Sequence, residues 1–180
     1  MPNEINSNGV RTRAGKTAGI DPLDRKILGE LSRGTDVGYA ELGERVGLSA
    51  PAVHERVKRL RASGVIKNTV AIVDGPAIGK PLLAFIHVDT TGWGKTAGLM
   101  DLAALPEIEE VHSVTGDTCM MLKVRVASSV ALESLLAKLY DLPEIRGTRT
   151  YVVLSTYLER PPQPEITEDL LHPPALKPAG

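Results

Sequence analysis

Residues 39–67 read YAELGERVGLSAPAVHERVKRLRASGVIK and predict two short helices joined by a tight turn. Gly47 tolerates the left-handed backbone that ends a helix, and Ser49 can cap the next helix through its hydroxyl. Pro51 then lies in the first turn, where its missing N–H breaks no helical hydrogen bond. This is the layout of a helix-turn-helix, a motif whose second helix enters the major groove of DNA.

The second predicted helix carries the candidate DNA contacts. Val53, Val57 and Leu60 recur at helical spacing and pack inward, so the positions between them point outward. Few outward positions hold the Arg, Asn or Gln that give bidentate readout, which predicts a degenerate preference dependent on DNA shape and multivalent assembly. The alternative is a solvated cationic helix face. The base-edge candidates are Ser49, Ala50, Pro51, His54 and Glu55, and the phosphate candidates are Lys58, Arg59 and Arg61.

The charge of the chain is distributed unevenly. The formal net charge of the 180 residues is only −1. Residues 1–67, however, carry 12 lysines and arginines against 8 acidic residues, whereas residues 68–180 carry 9 against 14. This asymmetry is typical of a basic nucleic-acid-binding module fused to an acidic domain with another task.

Cap signals define the N-terminal domain. Residues 1–20 are polar and show no periodicity, which predicts a disordered arm. Asp21 and Pro22 form a helix start signal, and Gly34 forms a stop signal. A further helix therefore precedes the quoted pair, and the three helices predict a compact, winged-helix-like, all-α domain over residues 21–67.

Two other segments connect or follow the predicted domains. Residues 68–80 are predicted to be a linker strand and hinge, because valine and isoleucine precede glycine- and proline-rich turns. The short strand candidates in this region are residues 65–66 and 70–73. Residues 161–180 are rich in proline and acidic residues, which predicts an extended and mobile tail.

The hydrophobic pattern changes over residues 81–160. PLLAFIHVDT, IEEVHSVTG, TCMMLKVRVA and TRTYVVLSTYL are strand candidates, and the third alternates cleanly with period two. GLMDLAALP and the leucines after Ser128 have helical spacing. The order βαββαβ is the ferredoxin-like arrangement, in which two helices cover one face of a four-stranded antiparallel sheet, so the overall class is α+β.

The predicted sheet has a second face that the two helices cannot cover. Apolar side chains recur on that face, and an open apolar face is typical of an interface. A two-fold dimer would cover it and would also supply the paired DNA-binding domains that helix-turn-helix proteins use. The apolar residues of this face are Leu83, Phe85, Met121, Tyr151 and Val153.

Several segments, in this order, resemble a known family. LDRKILGEL and ELGERVGLSAPAVHERVKRLRASGVI, followed by VHSVTGDTCMMLKVRV and TRTYVVLS, are similar to the Lrp/AsnC family, the feast/famine transcriptional regulators of bacteria and archaea. The likeness covers about residues 21 to 159. It implies a DNA-binding domain joined to a ligand-sensing, dimerising domain. It also implies that dimers assemble into tetramers or octamers and bind a small amino acid between them.

The resemblance further implies an effector site at the turn VTGDT, residues 114–118. Asp117 would receive the amino group of the effector, a charge-assisted contact suited to a carboxylate. The family usually has a second acid where this chain has Cys119, which favours a different effector or none. The plain alternatives are a two-residue hairpin turn and ordinary β-branched strand residues. The implied contacts are Gly116, Asp117, Cys119, Thr148 and Thr150.

The sequence contains no motif of an enzyme or of a cofactor site. The single cysteine excludes an internal disulfide framework and a cysteine-rich zinc site, and the four histidines lack metal-ligand spacing. No phosphate loop, nucleophile elbow or paired-carboxylate motif occurs. No apolar run is long enough to span a bilayer, and the N-terminus has no apolar signal region. We therefore expect a cytoplasmic, nucleoid-associated protein without a cofactor.

These patterns lead to one main hypothesis and two alternatives. The main hypothesis is a DNA-binding transcriptional regulator, and not an enzyme, whose amino-acid-like effector shifts its assembly. The first alternative is an architectural DNA-binding protein of the same fold without an effector, which the departure at Cys119 favours. The second is an enzyme, because siroheme decarboxylases are similar in their two-domain layout.

Overall fold

A computed structural model of the chain describes residues 19–92 and 96–171, except for the side chain of residue 169. Residues 1–18 of the predicted arm lie outside this range, as do residues 172–180 of the predicted tail. The described residues divide into two compact units. The first unit contains the residues up to Val70 together with those from Arg160, and the second contains Ala71–Glu159.

The first unit contains three helices, and no strand forms in its described residues, as the prediction of an all-α domain requires. They are α1 (Pro22–Arg33), α2 (Tyr39–Val46) and α3 (Ala50–Ala62). Helix α1 begins as predicted, because Asp21 and Asp24 form a reciprocal capping box and Pro22 occupies the first turn. The small core of this unit consists of Ile27, Leu42, Val46, Val53 and Val57.

The second unit has the predicted ferredoxin-like order. Its elements are β1 (Leu82–Thr90), α4 (Ala97–Leu102), β2 (Ile108–Ser113), β3 (Met120–Val126), α5 (Ser129–Tyr140) and β4 (Ile145–Val152). The four strands form one antiparallel sheet in the order β2-β3-β1-β4. Consequently β1 and β3 are central, and β2 and β4 lie at the two edges.

The core of the second unit lies between the sheet and the helices α4 and α5. Strand β3 alternates buried and half-buried residues along its whole length, which confirms the predicted period of two. Helix α5 begins at the Ser128 cap, whose hydroxyl accepts a hydrogen bond from the Ala131 amide. The buried residues that share this core are Ala84, Ile86, Val88, Leu99, Met120, Leu122, Val124, Val126, Leu132, Leu135 and Leu139.

Strand β4 differs from its predicted extent. It begins at Ile145, earlier than TRTYVVLSTYL, and it ends at Val152 rather than continuing to residue 158. The neighbouring strand β1 begins only at Leu82. The last backbone hydrogen bond between the two strands is therefore the one from the Val153 amide to the Leu83 carbonyl. Beyond that point the backbone has no partner strand, and Leu154 is exposed.

The predicted strands at residues 65–66 and 70–73 do not form within the described chain. The Ile66 amide bonds back to the Leu60 carbonyl, so this residue folds onto the end of α3 and packs against the core of the first unit. Residues 70–73 are exposed, and no described strand of this chain pairs with them. A strand needs a partner ladder, and a single copy of the chain does not supply one here.

The described part of the predicted tail contains a short turn and contacts α1. Residues 160–171, hereafter the C-terminal segment, belong to the first unit, and a short 3₁₀ turn forms at Glu168–Leu170. The Arg25 guanidinium donates a hydrogen bond to the Pro164 carbonyl, which joins the segment to α1.

Candidate DNA-binding and effector sites

The turn between α2 and α3 has the geometry that the sequence predicts. Gly47 adopts a left-handed conformation with φ 75° and ends α2. The Leu48 amide then donates to the Gly43 carbonyl at 2.8 Å, and the Ser49 hydroxyl accepts from the Ala52 amide at 3.4 Å. The first hydrogen bond satisfies a carbonyl at the end of α2, and the second satisfies an amide in the first turn of α3. The turn therefore fixes where α3 begins.

Gly43 is a structural requirement of this turn that the sequence analysis missed. It lies inside α2 and is buried, and a Cβ at this position would collide with the Leu48 carbonyl oxygen. Only glycine lets the turn backbone approach the helix this closely. The sequence signal is its place in a helix interior four residues before Gly47, because glycine is a poor helix former and needs a packing reason there.

The predicted inner and outer faces of α3 are confirmed. Val53, Val57 and Leu60 are buried. His54 contacts the Tyr39 ring edge-on at 5.3 Å between centroids, and its Nδ1 lies 3.4 Å from a Glu55 carboxylate oxygen. The candidate DNA contacts lie on the outer face or at the start of the helix, where Ala50 is half-buried and Ser49, Pro51, His54, Glu55, Lys58, Arg59 and Arg61 are exposed.

Two arginines of α3 converge on one buried acid of α1. Asp24 is 0 % exposed, and its carboxylate accepts from Arg56 Nη1 at 2.8 Å and from Arg59 Nη2 at 2.6 Å. Arg56 also bonds to Asp21, and this hydrogen bond is the main reason that the pKa of Asp21 lies below its usual range. The network joins the start of α1 to the middle of α3. It therefore fixes the orientation of α3 relative to α1.

The cations predicted to contact phosphate are consequently not equivalent. The Arg59 guanidinium forms an ion pair with the Asp24 carboxylate, although the Arg59 side chain remains 57 % exposed. Lys58 and Arg61 are exposed and have no ion pair or hydrogen-bond partner among the described residues. An unpaired surface cation is free to contact a phosphate without first breaking an intramolecular bond.

The predicted effector turn is a loop that joins β2 to β3. Val114 and Cys119 close it through an amide–carbonyl bond of 3.1 Å, so it is longer than the two-residue hairpin that was the plain alternative. Gly116 has φ 133°, a conformation that favours glycine. Asp117 is exposed at the tip of the loop.

Asp117 already has a cationic partner, Arg149 of β4. Arg149 Nη1 lies 2.7 Å from the Asp117 carboxylate, and Nη2 donates to the Asp117 carbonyl at 2.8 Å. The guanidinium lowers the pKa of Asp117 below its usual range, and Asp117 in turn raises the pKa of Arg149. The sequence analysis missed Arg149, which strand alternation between Thr148 and Thr150 could have placed on the opposite face.

Three other implied effector residues, Thr148, Thr150 and Cys119, have other neighbours among the described residues. Thr148 and Thr150 pair with Val88 and Ile86, whose side chains are buried against the helices. The Thr148 amide and hydroxyl both bond to the Tyr140 hydroxyl of α5 at 3.2 Å. Cys119 is half-buried and packs against the core, as expected of a small hydrophobic residue.

The open face of the sheet combines apolar side chains with paired charges. Lys123 lies 3.2 Å from carboxylates of Glu109 and Glu159, and these contacts raise its pKa despite the opposing effect of burial. The His87 ring contacts the Tyr151 ring at a tilted angle, with 4.9 Å between the centroids, and its buried Nδ1 has no hydrogen-bond partner among the described residues. Two open grooves on this unit share Leu83 and Val153; the first is also lined by Val73 and Leu154, and the second by Phe85 and Leu158.

The described residues contain neither a membrane-spanning helix nor a cluster of side chains placed to bind a metal ion. No described helix has the length and apolar character needed to cross a membrane. No group of three or more His, Cys, Asp or Glu side chains in residues 19–92 and 96–171 is placed to hold a metal ion.

Both units match known protein families. The model of the AsnC-type helix-turn-helix domain matches residues 20–61, and that of the Lrp/AsnC ligand binding domain matches residues 83–163. The HTH-type transcriptional regulator FL11 of Pyrococcus horikoshii is 37 % identical over 140 residues, which cover 78 % of this chain and 93 % of that protein.

Solved structures agree with this assignment. AsnC of E. coli has a TM-score of 0.73 and 30 % identity, with 80 % of this chain and 98 % of that chain covered. The feast or famine regulatory protein from M. tuberculosis, complexed with L-methionine, has a TM-score of 0.71 and 33 % identity, with 78 % and 95 % covered. The fold and the α3 surface thus define a two-domain protein of the helix-turn-helix class. Within that class, the chain belongs to the Lrp/AsnC family.

Proposed function

We propose that the chain is a DNA-binding transcriptional regulator that places α3 in the major groove. The observation that carries this proposal is the exposed outer face of α3, which has polar residues at its start and the unpaired cations Lys58 and Arg61 further along. Residues at the start of such a helix contact base edges, and cations along its length contact phosphates. The regulators similar to this chain support the proposal.

The roles of the individual residues follow from their surroundings. Lys58 and Arg61 contact phosphates directly. The Arg59 guanidinium is hydrogen-bonded to the Asp24 carboxylate, so it contacts a phosphate only if it bridges both groups or breaks the bond to Asp24. His54 and Glu55 lie close to each other on the outer face, where His54 can contact a base edge. Ser49, Ala50 and Pro51 lie at the start of α3 and contact the DNA mainly by shape, because none has a long polar side chain.

A titration of DNA affinity against salt tests this proposal. Fluorescence anisotropy with a duplex measures the slope of log affinity against log salt, and loss of one phosphate contact reduces its magnitude by about 0.9. Lys58→Ala should show this reduction. Lys26→Ala, an exposed lysine of α1, is the matched control and should not. Equal slopes in wild type and Lys58→Ala contradict the role of Lys58, and absence of binding to any duplex at low salt contradicts the function.

An amino-acid effector is the second part of the proposal. The ion pair between Asp117 and Arg149 presents one anion and one cation side by side, which matches the ammonium and carboxylate groups of a free amino acid. An effector that inserts here exchanges the internal ion pair for two charge-assisted contacts of its own. The similar protein bound to L-methionine supports an amino acid as the ligand class.

Calorimetric titration with L-methionine and the other amino acids tests the effector. We expect heat of binding in wild type and its loss in Asp117→Asn, which keeps the shape of the side chain but removes the charge. Arg146→Ala, another exposed arginine at the start of β4, is the control. Absence of heat with every amino acid supports the architectural alternative without an effector, which the departure from the family pattern at Cys119 favours.

Assembly through the open face completes the proposal. This face contains the half-buried Phe85 and the exposed Tyr151, and Ile72 and Val73 offer unpaired backbone beside it in the same unit. A second copy of the chain can cover both, because a two-fold interface uses the same patch twice. The resulting dimers, and tetramers or octamers built from them, bind DNA more tightly through avidity. An effector that favours one assembly shifts that balance.

A further inference from the structure

The middle of α1 has an unusual residue for a helix interior. Gly29 is buried, although glycine is the poorest helix former apart from proline. A Cβ at this position would lie 3.1 Å from the Glu165 carboxylate and 3.7 Å from the Pro164 ring. The C-terminal segment therefore lies directly over the backbone of α1 at Gly29.

A second contact of the segment lies one helical turn away. Arg25 precedes Gly29 by four residues and so shares its face of α1. Its guanidinium donates to the Pro164 carbonyl. The side chain of Gln163 donates to the Pro161 carbonyl at 2.8 Å, which gives the segment a local structure of its own. A hydrogen bond and a close approach at the same residue, Pro164, together define a docking site.

The composition of the segment suits docking. Three of the four residues 161–164 are proline, and proline restricts the free chain so that less conformational entropy is lost on ordering. The family match ends at residue 163, so Pro164 and Glu165 lie beyond the shared domain.

We propose that the C-terminal segment docks on α1 of its own chain and acts as a second tether of the DNA-binding unit. The chain leaves the first unit after Val70 and returns to it at Arg160. With the segment docked, two stretches of backbone connect the units, whereas one remains when the segment is released. A second tether reduces the orientations that the DNA-binding unit can adopt, so it restricts the spacing of paired sites on DNA. This functional consequence rests on the proposed DNA binding.

A disulfide cross-link tests the docking independently of DNA. Gly29→Cys with Pro164→Cys, in a Cys119→Ser background, places two thiols at the observed contact. We expect a disulfide within one chain, detected by intact mass and by peptide mapping of dilute protein after mild oxidation. Lys26→Cys with Pro164→Cys is the matched control and should remain reduced. Equal oxidation of both pairs, no disulfide, or a disulfide between chains would overturn docking within one chain.

Two truncations test the consequence of docking. One ends at Arg160 and lacks the rest of the segment, including Pro164 and Glu165, and the control ends at Leu171 and retains the whole segment. Hydrogen exchange of residues 22–33 should be at least about threefold faster in the first truncation and unchanged in the second, because one lost hydrogen bond changes local opening by about this factor. Unchanged exchange in both truncations would overturn the proposal even if the protein binds no DNA.

DNA spacing completes the test. We expect that inserting five base pairs between two sites, about half a helical turn, weakens binding of the Leu171 truncation at least about tenfold and that of the Arg160 truncation less than about threefold. Equal spacing dependence in the two proteins would overturn the tether while leaving the DNA-binding function intact. Loss of DNA binding by both proteins, with an intact cross-link, would overturn the tethering role and the DNA-binding function but not the docking.

Discussion

Replacement of Asp24 by asparagine tests the network that orients α3. The change removes the charge of a carboxylate that is 0 % exposed and that accepts from Arg56 and Arg59. Removal of one partner from a buried ion pair costs about 3–5 kcal/mol when the other charge is left buried. Arg59 is 57 % exposed and can turn to water, and Arg56 keeps its bond to Asp21. We therefore expect a smaller loss of about 2–3 kcal/mol in the first unit.

Hydrogen exchange measured by mass spectrometry is the suitable assay, because it reports the opening of α1 and α3 without requiring the whole chain to unfold in one step. Asp36→Asn makes the same chemical change in the exposed loop between α1 and α2 and should change stability by less than about 0.5 kcal/mol. A change in α3 protection no larger than that of the control would refute the role of Asp24. Retained protection in β3 confirms that the second unit stays folded.

Three further predictions concern the turn, the loop and the open face. Gly43→Ala should destabilise the first unit by about 1–3 kcal/mol despite better helix propensity, because the new Cβ meets the Leu48 carbonyl; a variant with a higher melting temperature would contradict this. The pKa of Asp117 lies below its usual value, so its ion pair stabilises the fold above about pH 4 and is lost as the pH falls through the lower folded value; the difference in urea stability between wild type and Asp117→Asn should therefore be present at pH 7 and decrease on acidification. Phe85→Glu should shift the protein toward monomer in sedimentation at micromolar concentration, whereas Ala137→Glu on the exposed side of α5 should not, and equal masses would count against the open-face dimer.

Local chemistry made much of the fold predictable. The start of α1 depends on Asp21, Asp24 and Pro22, and the end of α2 depends on Gly47, all of which lie within a few residues of the feature they specify. The alternation along β3 likewise depends only on the burial of one face of the sheet. Such features are encoded in short stretches and need no knowledge of distant residues.

Features that depend on distant partners were predicted less well. The ion pairs of Asp24 could not be predicted, because Arg56 and Arg59 lie 32 and 35 residues further along the chain. Arg149 meets Asp117 across 32 residues, and sequence alone gives no distance between a loop tip and an edge strand. The valines of residues 70–73 have strand propensity, but a strand forms only where another backbone is available. The DNA and effector contacts themselves stay predictions.

The charges at the two edges of the sheet have a consequence for the behaviour of the protein at high concentration. Edge strands present unpaired backbone groups that can recruit further strands into fibrils, and charged side chains oppose such growth. Strand β2 exposes Glu109, Glu110 and His112, and β4 exposes Arg146 and Arg149. Pairing of β2 with β2 of another copy, or of β4 with β4, would bring like charges together. The charges therefore disfavour self-pairing of either edge of the sheet, and two copies can instead meet through the open face.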